Sequence, residues 1–268
     1  MPATTETPER FALTKWYLDC VAPDGRAAIG YWASLRLHGL EIGWNNVSTY
    51  EPGQPPRERT SLHLVRAPQR SGDTITWTSH ALGCTFTLDA TLPPATIQLL
   101  DDPRGRIDWR CEAPAARVRV TTPDGAPLDG TGYAECLVMT VLPWQLPLDQ
   151  LRWGRWVSLD ARRSLVWIDW RGEKPSRWAL VDGVVRTDVV VRDTDIAFSG
   201  ATLPLEPSRT LHDRRLGDIV GPIKPLAALL PDALLALHEQ KRCGAAALHD
   251  GTEAPVSGWT IHELVQLR

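Results

Sequence analysis

Cys84-Thr85-Phe86-Thr87-Leu88-Asp89 alternates without interruption: Cys84, Phe86 and Leu88 fall on one face of an extended strand, and Thr85, Thr87 and Asp89 on the other. Such a segment buries one face against a core and turns the other to water or a polar lumen. On both sides of it, short runs rich in Val, Thr, Ile and Trp recur between turn clusters such as Pro23-Asp24-Gly25, Ser71-Gly72-Asp73 and Pro123-Asp124-Gly125. This rhythm predicts antiparallel strands over 13–20, 27–37, 42–50, 61–66, 74–78, 84–89, 96–100, 106–112 and 116–121. A second series follows over 133–141, 152–158, 164–170, 177–181, 184–191 and 195–205. The Pro- and Gly-rich stretch 113–132 reads as the divide, which gives two barrel-like halves at 1–125 and 126–268. Leu226, Leu229, Leu230, Leu234 and Leu237 stand at helical spacing within 224–242, so one or two short helices are expected there, before a closing strand at 258–268. The expected architecture is mostly β. Small closed sheets hide their edges and enclose either a packed interior or a cavity for one small ligand.

Composition narrows the partners. The 268 residues carry 29 Lys+Arg against 32 Asp+Glu, a net charge of -3 spread along the chain, so nucleic acid is not an expected partner. Cys20, Cys84, Cys111, Cys136 and Cys243 are isolated, with no CxxC pair and no spacing that would gather a metal, and they read as reduced thiols of a cytoplasmic protein. The opening MPATTETPERFALTK is polar and is expected to be a frayed tail rather than a leader or anchor. The most apolar segment, 225–237, is broken by Pro231 and Asp232, so no transmembrane helix is expected. The signatures of phosphate loops, dinucleotide-binding turns, nucleophile elbows and zinc helices are missing, and no cofactor is called for. Nothing in the sequence specifies an oligomeric state.

What stands out is 12 Trp against 3 Phe and 4 Tyr, with polar residues set among the indoles. Near the start, Lys15, Tyr17 and Asp19 share a strand face opposite Trp16 and Leu18; they line a polar lumen or form an ordinary solvated face. Tyr133 and Glu135 stand side by side on another strand, a pairing suited to a carboxylic acid in an aromatic lining that protonates an alkene or carbonyl, or else a rim pair. Trp153, Gly154, Arg155 and Trp156 precede Trp167, Asp169 and Trp170 on the next strand, with Gly154 expected to form a bulge. Arg155 between indoles either stacks as a structural element or orients an anionic or carbonyl group of a ligand. Finally, Trp259, Ile261 and Glu263 face away from Thr260 and His262, the latter a structural histidine or a ligand contact.

The segments KWYLDC, GYAE, LPWQLPLDQLRWGRW and GWTIHELVQL together resemble the AttH and carotenoid 1,2-hydratase (hydroxyneurosporene synthase) group of lipocalin-like proteins. The resemblance implies two calycin-type β-barrels with a ligand site in their interior or at their junction, and hydratase or cyclase chemistry on hydrophobic molecules without a cofactor. It also implies that Tyr133-Ala134-Glu135 stands in the place of a Tyr-x-Asp element, with Glu135 as proton donor and Tyr133 as its partner. The expected His-x-Trp element is met by Ile107-Asp108-Trp109, which has the tryptophan without the histidine. The function expected is therefore a cofactor-independent hydratase or cyclase acting on an isoprenoid- or polyketide-like molecule in a Trp-lined barrel pocket. Trp16, Tyr17, Trp109, Trp153, Arg155, Trp167, Asp169 and His262 are the expected ligand contacts. The alternatives are a non-catalytic carrier of an apolar small molecule and a scaffold whose tryptophans are simply core.

Overall fold

Strand pairing in the computed structural model, which describes residues 11–37, 39–220, 231–251 and 254–267, builds two large antiparallel sheets and one small one. The first sheet takes β1 (Phe11–Val21), β2 (Ala27–Leu37), β3 (Leu40–Tyr50), β4 (Arg57–Ser61), β5 (Gln69–Ser71), β6 (Thr74–Ser79), β7 (Cys84–Ala90), β8 (Ala95–Asp102), β9 (Gly105–Thr121) and β10 (Leu128–Met139). Its order is β4-β3-β2-β1-β10-β9-β7-β6-β5, with β8 pairing the first half of β9. The second sheet runs β14-β13-β12-β11-β20-β19-β18, from β11 (Gln150–Ser158), β12 (Ser164–Arg171), β13 (Ser176–Val181), β14 (Val184–Arg186), β18 (Arg209–Arg215), β19 (His238–Leu248) and β20 (Val256–Gln266). A small sheet of β15 (Val190–Val191), β16 (Asp195–Phe198) and β17 (Ala201–Pro204) closes one side of it through a bridge between Thr202 and His249. This is the mostly β architecture expected from the alternation, and it is of the lipocalin-like kind that the resemblance implies.

The period of two along each strand sorts most of the apolar residues into three large cores, with a small fourth cluster of Ala115, Val157 and Ala161. One face of the first sheet encloses Trp16, Leu18, Trp32, Trp77, Phe86 and Leu88. One face of the second, covered by the small sheet, encloses Trp156, Leu165, Trp167, Ile196 and Leu203. The remaining faces of the two sheets meet each other, where Tyr17, Trp109 and Tyr133 of the first pack against Trp153, Trp178 and Ile261 of the second. Both half-barrel interiors are thus filled with side chains, and the polar residues among the aromatics collect at the junction.

Several sequence expectations change in this frame. The divide drawn at 125/126 falls before β10, which pairs with both β1 and β9, so the change from first to second sheet comes within 140–149. The stretch 113–132 is the end of β9 and the start of β10 joined by a largely exposed turn at 122–127: Ala113, Ala115 and Ala116 are fully buried, and the strands expected at 106–112 and 116–121 are one strand, β9. The helical expectation over 224–242 gives a single turn, α2 (Asp232–Leu235), and then β19 from His238 on; 221–230 lie outside the described residues. A five-residue helix, α1 (Leu216–Val220), precedes that gap. The opening residues 1–10 also lie outside the described residues.

Candidate active site at the junction of the two sheets

β10 presents Thr131, Tyr133 and Glu135 to the junction in strict alternation, as the sequence predicts. Opposite them, β9 carries two extra residues. Gly132 pairs Ala116, Ala134 pairs Ala113 and Glu135 pairs Cys111, so Pro114 and Ala115 together oppose Tyr133, and Glu112 falls between two partners. Proline has no N–H to give a ladder, and a bulge is where its absence costs least. The freed Ala115 carbonyl accepts the Thr91 backbone N–H at 2.9 Å. Past the bulge, Cys111 stands across from Glu135 and Trp109 across from Leu137, on the same face and diagonal to Glu135: the Trp109 indole N–H donates to Glu135 Oε2 at 2.5 Å, and the Tyr133 hydroxyl donates to the same oxygen at 2.7 Å. Glu135 is buried, and Trp178 of the second sheet packs against Trp109 at 5.1 Å between ring centroids, the two planes tilted by 57°. Burial first, then the neighbouring Cys111 and Glu135, push the Tyr133 hydroxyl well above the ordinary phenol range, so it stays a donor.

Tyr17 sits directly across the ladder from Glu135 and packs edge-on to Trp153 of β11 at 5.2 Å. Beyond it, the fully buried Lys241 of β19 has its ammonium 5.0 Å from the Tyr17 ring centroid and 5.6 Å from those of Tyr31 and Trp153. Lys241 donates to the Tyr31 hydroxyl at 2.9 Å and to Glu263, with Glu239 at 3.4 Å. Burial alone would lower its pKa, but Glu263, Tyr31 and Glu239 raise it well above the usual lysine value and hold it charged. On the other side of Tyr17, Arg155 of β11 makes a bidentate pair with Asp19 at 2.9 and 2.6 Å and donates to the Trp259 carbonyl at 2.6 Å. Burial presses the Asp19 carboxyl upward in pKa, against the pull of Arg155. The Tyr17 hydroxyl is close enough to Asp19 to help hold that charge, yet it makes no hydrogen bond of ordinary geometry among the described residues.

Following β1 and β10 outward along the same face, past the Asp19–Arg155 pair, the junction opens into a groove of about 490 Å³. Val21, Pro23, Arg117 and Thr131 of the first sheet and Leu159 and Trp259 of the second line it. The groove begins two residues from Tyr133, and at about 3.3 Å per residue Glu135 lies about 13 Å further along the strand from Thr131.

Among solved structures, a TM-score of 0.55 relates this chain to an AttH candidate from Nitrosomonas europaea, at 12% identity over 98% of this chain and 97% of that one. CghA with Sch210972 gives 0.55 at 11% identity over 96% and 89%, and kievitone hydratase from Nectria haematococca gives 0.52 at 12% over 96% and 88%. The chain has the AttH-like, lipocalin-type fold. No protein-family model matches the sequence, and comparison with the curated proteins finds no match either.

Within this AttH-like fold the expected site residues separate by face. Tyr133, Glu135, Tyr17, Trp109, Trp153 and Arg155 meet at the junction. Trp16 points the other way into the first half-barrel core, and Trp167 into the second. Asp169 shares the Trp167 face and is engaged by Arg171 at 2.8 Å. His262 lies opposite Ile261 and Glu263; burial first, then Arg242, lowers its pKa to about 4, leaving a neutral imidazole with no partner on Nε2 among the described residues. Gly154 is no bulge, since the ladder runs through it in register on both sides. A Cβ there would stand 2.2 Å from Trp167 Cζ2, so glycine is required by close approach. Lys241 escaped sequence reading because 224–242 carries a helical leucine spacing, which hid its strand face and its partner Glu263. Among the described residues no group of three or more His, Cys, Asp and Glu side chains is arranged to hold a metal ion, and no helix is long and apolar enough to cross a membrane.

Proposed function

We propose that the chain is a cofactor-independent enzyme of hydratase or cyclase type acting on a hydrophobic, isoprenoid- or polyketide-like small molecule at the sheet junction, with Glu135 as proton donor and Tyr133 as its partner. The observation that carries this reading is the placement of a buried carboxyl among indoles, oriented by two donors. Both donors engage Oε2, so Oε1 is the oxygen left to act on a substrate. In a hydration, Oε1–H protonates one alkene carbon, water adds to the cation formed at the other, and the oxonium returns its proton to the carboxylate; the enzyme is regenerated and water is the sole addition. The faces of Trp109, Trp153 and Trp178 can stabilise the cation, and the closed junction limits competing water. Two neighbours of the same fold support the reading by their names: one is a hydratase, and the other holds a small molecule. The five buried, unpaired cysteines fit a reducing, cytoplasmic setting.

A carrier without chemistry is the second reading. It is favoured by one observation: two hydrogen bonds make Glu135 a satisfied buried group, while the groove opens beside Thr131 instead. Titration of intrinsic tryptophan fluorescence with polyenes, terpenoids and fatty acids, followed by product analysis in wild type and Glu135→Gln, separates the two. Saturable quenching with product in the wild type and a loss of about 10²- to 10⁴-fold in Glu135→Gln is the expected result. Binding with no turnover in either protein, or equal turnover in both, overturns the role given to Glu135.

A further inference from the structure

We infer that the groove at the open end of the junction is a binding site for the carboxylate of an apolar small acid, held by Arg117. The volume of about 490 Å³ lies in the range of small-molecule sites. Its apolar walls come from both sheets, with Val21 and Pro23 on one side and Leu159 and Trp259 on the other, so a ligand's carbon skeleton is gripped from two directions.

The polar lining sets the ligand's charge. Four charged side chains reach the groove: Asp89, Arg117, Arg119 and Asp129. Arg119 and Asp129 neutralise each other at 3.0 Å, and Asp89 accepts the Thr74 hydroxyl at 2.8 Å. Arg117, though directly across the ladder from Asp89, makes no ion pair or hydrogen bond among the described residues. Its fork of donors is therefore free, and a carboxylate is the group that matches that fork with a single charge. A phosphate dianion would need a second free cation and would meet Asp89 and Asp129. Thr131, 7% exposed in the groove wall, has a hydroxyl with no partner among the described residues.

The inference stands without the catalytic role of Glu135. Calorimetric titration of the full chain with octanoate, 1-octanol and inorganic phosphate tests it. Octanoate is expected to bind saturably at one site, at least about tenfold tighter than 1-octanol, with phosphate failing to compete. Arg117→Gln, an exposed position whose change leaves the cores intact, should bring octanoate down to the level of 1-octanol, while Arg36→Gln, an exposed arginine outside the groove, should change nothing. Absence of octanoate binding, equal affinity for acid and alcohol, competition by phosphate, or equal losses in the two variants overturns the proposal. Glu135→Gln should bind octanoate as the wild type does, so failure of turnover and failure of this site are read separately.

Discussion

Asp19 and Arg155 stand 136 positions apart in the chain and fully buried against each other, tying β1 of the first sheet to β11 of the second. An ion pair of this kind contributes little by existing, because desolvation offsets most of the attraction, but breaking it strands a charge in the interior. Asp19→Asn is therefore expected to lower unfolding stability by about 3–5 kcal/mol. Asp19→Asn combined with Arg155→Met should recover most of that loss, read from urea denaturation of the two single variants and the double; a double variant as weak as the sum of the two singles would show that the residues act independently and not as a pair. At this scale the sequence was partly legible. Period two put Tyr133 beside Glu135 and Tyr17 beside Asp19, and the structure keeps both. The partner of Asp19 was not legible, since no local pattern links β1 to β11.

At the scale of the element, two departures from ideal geometry aim the site. The bulged run 112–115 of β9 shifts Trp109 to the position diagonal to Glu135, within hydrogen-bond reach, and its proline was read from the sequence as a break between strands when it marks a bulge within one. Gly154 lets Trp167 cross β11 on the face away from the junction, at a separation no side chain tolerates. Gly154→Ala should therefore displace the Trp167 ring or β11 itself and cost about 1–3 kcal/mol through overpacking. A lowered urea midpoint with altered near-ultraviolet circular dichroism is the expected readout, and an unchanged midpoint would show that the indole has room to move. Helical leucine spacing misled at 238–242 because β19 pairs along its whole length with β20, and eleven ladder partners outweigh a weak local propensity.

For the whole molecule, the decisive fact is that the middle core belongs to neither sheet alone. Trp109 and Tyr133 come from the first, Trp153 and Trp178 from the second, and removing either sheet would expose the other's half of that core. The chain is accordingly expected to unfold in urea as one cooperative unit, with tryptophan fluorescence and far-ultraviolet circular dichroism tracing coincident transitions. Two separated transitions would show that each half holds its own structure without the junction.

The alternation of apolar and polar residues was enough to specify strands, their faces and a mostly β fold, because which side of a strand a residue takes depends on position along the chain alone. It was also enough to pair Tyr133 with Glu135. Which face would meet which core depends instead on how two sheets, far apart in sequence, come together. That choice, made by packing in three dimensions, sent Trp16, Trp167, Asp169 and His262 away from the junction and brought Lys241, Arg155 and Trp178 into it.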